Sequence, residues 1–335
     1  MTDDIQILNK IFSVNENNFT DVCSHVFSYQ YLYNDVYYQW CELVISKSNK
    51  LSQPVSFDEL INKIPFLPIS FFKSHSIKTT AFEPVRVFES SGTTKQNTSK
   101  HLVKDIAVYE ESFIKAFNLF YGDIKNYCIL ALLPSYLERN NSSLVMMADS
   151  LIKLSGHSKS GFYLDDFDAL HTVLLELEAQ KQPTLLLGVT FALLDFSEQY
   201  SMQLKHTIVM ETGGMKGRKK EMTRMEVHEQ LTKSFGVENI HSEYGMTELL
   251  SQGYSFGKGV FKCSPWMKVC VRSVDDPMTV SATGRGLINV IDLANIYSAS
   301  FIATEDVGVV YEDGSFEVSG RLDNSDIRGC SLLVV

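Results

Sequence analysis

Between Ser90 and His101 the chain reads Ser-Ser-Gly-Thr-Thr-Lys-Gln-Asn-Thr-Ser-Lys-His, directly after a strand-like run that includes Val85, Val87 and Phe88. Hydroxyls, one glycine and two lysines in a dozen residues are the components that hold a polyphosphate. The glycine lets backbone approach closely, amides and hydroxyls donate to the oxygens, and a lysine adds compact positive charge. By itself the stretch reads equally well as an ordinary polar loop.

Four further segments bear on that choice. Glu211-Thr212-Gly213-Gly214 follows a strand-like run and offers bare backbone to a planar base. Tyr244-Gly245-Met246-Thr247-Glu248 offers a ring to stack, a hydroxyl for phosphate and a carboxylate for Mg²⁺. Thr304-Glu305-Asp306-Val307-Gly308 carries an aspartate able to take both hydroxyls of a ribose. Gly320-Arg321-Leu322-Asp323, with Asp326-Ile327-Arg328-Gly329 behind it, adds an arginine. Each is weak alone; their joint occurrence in this order favours a nucleotide site.

Other chemistries are excluded by missing patterns. No G-x4-G-K-[ST] loop, G-x-S-x-G elbow or H-E-x-x-H pair occurs. Gly284-Arg285-Gly286 lacks the third glycine of a dinucleotide fingerprint. His241-Ser242-Glu243 reads as a strand edge rather than a metal site. The six cysteines, Cys23, Cys41, Cys128, Cys263, Cys270 and Cys330, form no CxxC pair.

These residues must be carried by a scaffold, and the pattern from Val85 onward supplies one. Helical spacing links Ile106, Tyr109, Phe113, Phe117 and Phe120, and further helices are predicted over Ser142–Ser155, Phe167–Gln180 and Thr190–Tyr200. Strands are predicted at Tyr127–Leu133, Gly161–Leu164, Thr184–Leu187 and Thr207–Met210. This alternation predicts an α/β fold with parallel strands covered by helices on both faces, with ligands outside the carboxyl ends of the strands. Beyond about residue 255 the runs at Val269–Val274, Gly286–Asp292, Val307–Tyr311 and Ser315–Val318 predict a smaller antiparallel subdomain. Asp313-Gly314 is a hairpin signal between the last two. The organisation expected is a helical segment over 1–80, punctuated at its end by Pro65 and Pro68, an α/β core over 81–255, a mostly β subdomain over 256–318, and a tail over 319–335.

At 335 residues, with 44% hydrophobic and 21% charged side chains, the chain can bury a sizeable core. Its net charge of -10 argues against nucleic-acid or anionic-membrane partners. No secretory signal and no apolar run of bilayer-spanning length is seen, so a reduced cytoplasm with free thiols is the expected setting.

Taken together, the five segments resemble the signatures of the adenylate-forming (acyl-activating) superfamily. The closest resemblance is to the acyl-protein synthetases of bacterial bioluminescence, the LuxE-like group, supported also by Leu67-Pro68-Ile69-Ser70-Phe71-Phe72-Lys73 and Arg328-Gly329-Cys330. The resemblance covers roughly residues 60 to 335. It implies doubly wound, mostly parallel sheets of the superfamily's N-terminal domain type, without its large C-terminal domain, and adenylation of a carboxylic, in this group fatty, acid by ATP and Mg²⁺. By the same resemblance Ser90, Ser91, Gly92, Thr93, Thr94 and Lys100 would hold the β- and γ-phosphates. Thr247 would bind the α-phosphate and Glu248 the metal. Tyr244 would stack on adenine beside Gly213 and Gly214, and Asp306 and Arg321 would fix the ribose.

The departures are specific. Lys95 replaces the loop's second glycine, which leaves Lys100 as the favoured phosphate lysine, and Glu305 replaces the glycine of T-G-D. With the C-terminal domain expected to be missing, its catalytic lysine is missing too. The resemblance makes Cys330 the acyl acceptor, with an acyl-reductase or acyltransferase as partner protein; a buried, inert Cys330 is the alternative. Transfer to coenzyme A and a non-catalytic nucleotide-binding role are the other readings of the same residues.

Overall fold

A computed structural model describes residues 3–45, 56–90, 98–133, 141–213 and 222–322. In chain order the helices are α1 (Asp3–Ile11), α2 (Phe19–Tyr33), α3 (Asp35–Val44), α4 (Phe57–Ile61), α5 (Phe71–Ser74), α6 (Ile106–Tyr121), α7 (Ser143–Ser155), α8 (Phe167–Ala179), α9 (Thr190–Gln199) and α10 (Arg224–Phe235). The strands are β1 (Leu67–Pro68), β2 (Arg86–Glu89), β3 (Lys100–Val103), β4 (Cys128–Leu132), β5 (Gly161–Phe162), β6 (Thr184–Gly188), β7 (Thr207–Glu211), β8 (His241–Tyr244), β9 (Gly253–Ser255), β10 (Val260–Cys263), β11 (Met267–Arg272), β12 (Val280–Ser281), β13 (Gly284–Asp292), β14 (Phe301–Val310) and β15 (Phe316–Arg321). They divide between a central unit, Pro84–Ser264, and a discontinuous unit made from the described residues of Met1–Glu83 and Pro265–Val335.

In the central unit the order is β5-β4-β6-β7-β8-β9-β10. Strands β5, β4, β6, β7 and β8 are parallel, and β9 and β10 continue antiparallel. Every residue of β4 and β6 is buried, as expected of parallel strands covered on both faces. Leu130, Leu132 and Leu186 share a core with Leu170, Leu174 and Leu177 of α8 and with Phe196 and Phe235. The helices that return the chain are capped from the sequence. Asp105 accepts from the Ala107 N–H to start α6, and Thr223 with Glu226 forms a capping box on α10. Strands β2 and β3 form a separate antiparallel hairpin. His241-Ser242-Glu243 is indeed strand, but an interior one, paired with both β7 and β9.

The discontinuous unit is an antiparallel sheet of order β12-β11-β13-β14-β15, with β1 parallel to β14. Two buried amides tie its N-terminal helices to the loop before β14. Gln30 Nε2 donates to the carbonyls of Asn295 and Ile296, both at 3.0 Å, while its Oε1 accepts from the Ser300 N–H at 2.9 Å. Asn34 caps α3 and donates Nδ2 to the Ser298 carbonyl at 2.8 Å. The helical segment and the later strands, which the sequence lists separately, therefore belong to one unit.

Two local expectations shift. Leu67-Pro68 is a two-residue strand rather than punctuation. Proline is tolerated there because the strand ends with it, and Ile69 N–H takes over by donating to the Ala303 carbonyl at 2.9 Å. Strand β14 starts at Phe301, well before the predicted Val307. Its buried Thr304 breaks the apolar pattern but donates Oγ1 to the Ile288 carbonyl at 2.7 Å, so the strand continues. The Asp313-Gly314 turn does join β14 to β15, with Gly314 at φ 77°.

Candidate functional site

At the carboxyl end of β7 the chain turns through Glu211-Thr212-Gly213. Glu211 is only 5% exposed, and its carboxylate organises the turn. Oε2 accepts from the Gly213 N–H at 2.7 Å and from Thr190 Oγ1, at the start of α9, at 3.0 Å. On the other side Oε1 faces Arg224 Nε and His228 Nε2, each at 3.7 Å, both on α10. Burial alone would raise the carboxyl pKa. The His228, Ser242 and Gly213 hydrogen bonds and the Arg224 charge outweigh it and hold the pKa at about 2.

Gly213 sits at φ 72°, the left-handed region glycine enters freely, and a Cβ built there would meet nothing within 4 Å among the described residues. Among the described residues nothing covers this backbone, which fits a planar ring lying against it. Beside it the Thr212 hydroxyl is enclosed and has no hydrogen-bond partner among the described residues, which fits a site that a polar ligand completes.

The neighbouring strand β8 delivers Tyr244 and the Gly245–Glu248 turn. The Tyr244 ring is buried and lies 5.9 Å from Phe261, and the Arg224 guanidinium lies over the Phe261 ring at 5.1 Å. Thr247 is half-buried and Glu248 buried, so Glu248 stands deeper than a residue at a ligand mouth. Just upstream, the carboxyl of Glu243 lies over Gly245, where a Cβ would come within 2.4 Å of Oε1. Burial, and then the Glu211 charge, push the Glu243 carboxyl up to about 8. Burial also pulls His241 down to about 4, and the Tyr121 hydroxyl lies 3.2 Å from its Nδ1.

The hydroxyl-rich stretch is described at its two ends. Ser90 N–H donates to the Ser99 carbonyl at 3.1 Å, and Ser99 N–H donates to Ser90 Oγ at 2.9 Å, so the stretch leaves and re-enters the hairpin at one closed neck. Lys100 opens β3 and is exposed, its Nζ 4.0 Å from Glu89. Next to it His101 is buried, and its Nδ1 lies 2.9 Å from the Thr247 carbonyl. A carbonyl only accepts, so Nδ1 carries the proton. This contact brings the neck of the hydroxyl-rich stretch against the Thr247–Glu248 turn.

In the discontinuous unit Asp306 and Arg321 are cross-strand partners in β14 and β15, with Arg321 Nε donating to Asp306 Oδ1 at 3.0 Å. Ser91, Gly92, Thr93, Thr94, Lys95, Gly214 and Cys330 lie outside the described residues. Among the described cysteines, burial pushes the thiols of Cys23, Cys41, Cys128 and Cys270 up, Cys41 to about 12, which suits inert packing.

The sequence reading names the segments that hold Glu211 and His101 but gives neither residue a role, sets Glu243 aside with its strand, and does not name His228 or Arg224. For Glu211 a signal exists: an acidic residue closing an otherwise apolar strand. For the others only the fold supplies one. No group of His, Cys, Asp or Glu among the described residues could by itself hold a metal. Glu248 as a lone hard oxygen donor still fits Mg²⁺, which takes one or two carboxylates and completes its shell with phosphate oxygens and water.

Residues 11–335 match the family described as acyl-protein synthetase, LuxE. The chain belongs to this family. No curated protein gives a significant match. Among solved structures, ATP bound MatB from Rhodopseudomonas palustris is similar at 15% identity and a TM-score of 0.52, over 70% of this chain and 47% of that one. The ATP bound RpMatB-BxBclM chimera B1 is similar at 17% identity and a TM-score of 0.51, over the same shares. A long-chain-fatty-acid-CoA ligase (FadD1) from Archaeoglobus fulgidus aligns at 15% identity over 70% and 51%, with a TM-score of 0.49. The likeness at these identities is one of fold, and the fold of this LuxE family member is that of adenylate-forming enzymes. The chain spans about half the length of these structures. None of its described helices is long and apolar enough to cross a membrane.

Proposed function

We propose that the chain activates a carboxylic acid, in this family a fatty acid, as its acyl-adenylate at the expense of ATP, and then acylates its own Cys330. The observation that carries the reading most directly is the His101–Thr247 contact, which sets the neck of the hydroxyl-rich stretch against the turn bearing Thr247 and Glu248. Membership of the acyl-protein synthetase family supports it.

In the first step a carboxylate oxygen of the acid attacks the α-phosphorus of ATP, and the bond to the pyrophosphate oxygen breaks. Mg²⁺, when bound, would neutralise phosphate charge so that two anions can meet. Glu248 would hold that ion, while Ser90, Ser91, Gly92, Thr93, Thr94 and Lys100 would hold the β- and γ-phosphates and Thr247 the α-phosphate. Gly213 and Gly214 would flank adenine with Tyr244, and Asp306, braced by Arg321, would take the ribose hydroxyls. In the second step the Cys330 thiol loses its proton to solvent and attacks the acyl carbon, releasing AMP as a thioester forms. A reduced cytoplasmic setting would keep that thiol available, and an acyl-reductase or acyltransferase would be the onward acceptor.

The test is pyrophosphate exchange into ATP with a panel of fatty and aromatic acids, followed by labelling with the active acid. Exchange with at least one acid is expected, together with a labelled thioester that Cys330→Ala abolishes. Exchange with no acid alongside retained ATP binding would leave a non-catalytic nucleotide protein. Wild-type labelling of Cys330→Ala would remove Cys330 as acceptor, and acyl-CoA formation by that variant would point to coenzyme A. Glu248→Gln should lose Mg²⁺-dependent exchange by at least about tenfold. Its unfolding must be measured in parallel, because the residue is buried.

A further inference from the structure

Within the discontinuous unit lies a cavity of about 600 Å³, inside the range of about 300–1,000 Å³ usual for small-molecule sites. Its walls come from the last turns of α3 (Trp40, Val44), the turn after α4 (Ile64), the end of β1 (Pro68) and the sheet (Val280, Leu287). These walls are apolar, but the charged side chains among them are Lys63, Arg272 and Glu305, two cations against one carboxylate.

Arg272 is the decisive group. It stands on β11, half-buried, and its hydrogen-bond partners among the described residues are neutral. Nη1 donates to the Ile288 carbonyl at 3.0 Å and to Asn289 Oδ1 at 2.7 Å, and Nη2 donates to the Thr304 carbonyl. These bonds fix the guanidinium; the Glu305 carboxylate on the same wall acts on its charge, and Lys63 supplies the second cation of the lining. Burial pulls its pKa down to about 10, which leaves it cationic at neutral pH. An apolar chamber with a fixed, partly desolvated guanidinium suits an anion that carries a hydrocarbon body.

We propose that this cavity is a binding site for an aliphatic monocarboxylate, its carboxylate on Arg272 and its chain against Trp40, Ile64 and Leu287. The site is separate from the proposed ribose-binding pair. Successive residues of a strand point to opposite faces, so Glu305 lines the cavity while its neighbour Asp306 pairs with Arg321. A ligand held beside Thr304 and Glu305 would sit behind the Asp306 backbone. The inference stands independently of the adenylation reading, since no residue of that machinery lines the cavity.

Trp40 makes the test local. The chain has two tryptophans, and Trp266 is buried against Phe12 and does not line the cavity. In the Trp266→Phe variant, emission comes from Trp40 alone. Titration with 11-bromoundecanoate, in the absence of ATP, should quench it saturably, because the heavy atom quenches at contact range. The neutral analogue 11-bromoundecanol should bind at least about tenfold more weakly, the difference expected for one charge-assisted hydrogen-bonded pair. Adding Arg272→Gln should erase the preference for acid over alcohol, and Arg272→Lys should keep part of it. No saturable quenching, or equal affinity for acid and alcohol in the Trp266→Phe protein, would overturn the proposal. The acid–alcohol comparison uses one folded protein, so it decides even where Arg272→Gln does not fold.

Discussion

Glu211 and Glu243 stand on neighbouring parallel strands near the same ends of the sheet, yet their surroundings drive them in opposite directions. Glu211 is met by a backbone N–H, a threonine hydroxyl, a histidine and an arginine, and its carboxyl falls to about 2. Glu243 has burial and the Glu211 charge to contend with, and its carboxyl rises to about 8. Two identical side chains thus become a permanent anion and a neutral acid at pH 7. The difference teaches that surroundings rather than residue type decide which of these two carboxyls keeps its charge, and the one that keeps it shapes the glycine turn.

The strongest way to break this contrast is to remove the anion. Glu211→Ala leaves His228 and Arg224 without their carboxylate and releases the Gly213 turn. Urea unfolding should show a loss of about 3 kcal/mol or more, and a change under about 1 kcal/mol would mean the carboxylate is not the organiser.

Next comes the neutral acid. A raised carboxyl binds its proton more tightly when folded than when unfolded, so it weakens the fold as pH climbs from about 4.5 to about 8 and costs a constant amount above that. The slope can reach about 1.4 kcal/mol per pH unit. Glu243→Gln should flatten that slope and leave the variant more stable than wild type at pH 8.5. An unchanged pH profile would place the Glu243 carboxyl near its ordinary value.

Glu211 gives the opposite sign. Its lowered carboxyl stabilises the fold at every pH above about 4.5, and that contribution is lost as pH falls towards about 2. In Glu211→Gln the acid limb of the stability profile should become shallower. Because the Glu211 charge helps raise Glu243, the same variant should also shift the Glu243 transition downward.

The smallest effect is steric. Gly245→Ala brings a methyl to 2.4 Å from Glu243 Oε1, a contact the end of a flexible side chain can partly yield to. A loss of about 1 kcal/mol is expected, and Glu243→Ala in the same chain should abolish it.

Much of the central unit was legible in the residues. Cys128–Leu132 and Thr184–Gly188 are unbroken or nearly unbroken apolar runs, and such runs between helical patterns mean covered parallel strands. The start of β14 was not legible, because buried Thr304 reads as polar until its bond to Ile288 is known. Nor was the grouping of the first helices with the last strands, which rests on Gln30 and Asn34 reaching residues near 295–300. In the candidate site the glycine turn and the Tyr244–Glu248 segment announced themselves by type and spacing. His101 did not, since a lone histidine after a lysine carries no local pattern.

The sequence by itself determined the family, the alternating elements and the candidate segments for a nucleotide site, because apolar periodicity and short polar motifs are local properties of the chain. Only the tertiary structure decided which carboxylate keeps its charge, which histidine holds Thr247, and that Arg272 closes on an apolar cavity. Those outcomes depend on desolvation and on partners far apart in sequence, and a fold creates both only when distant residues are brought within a few ångströms.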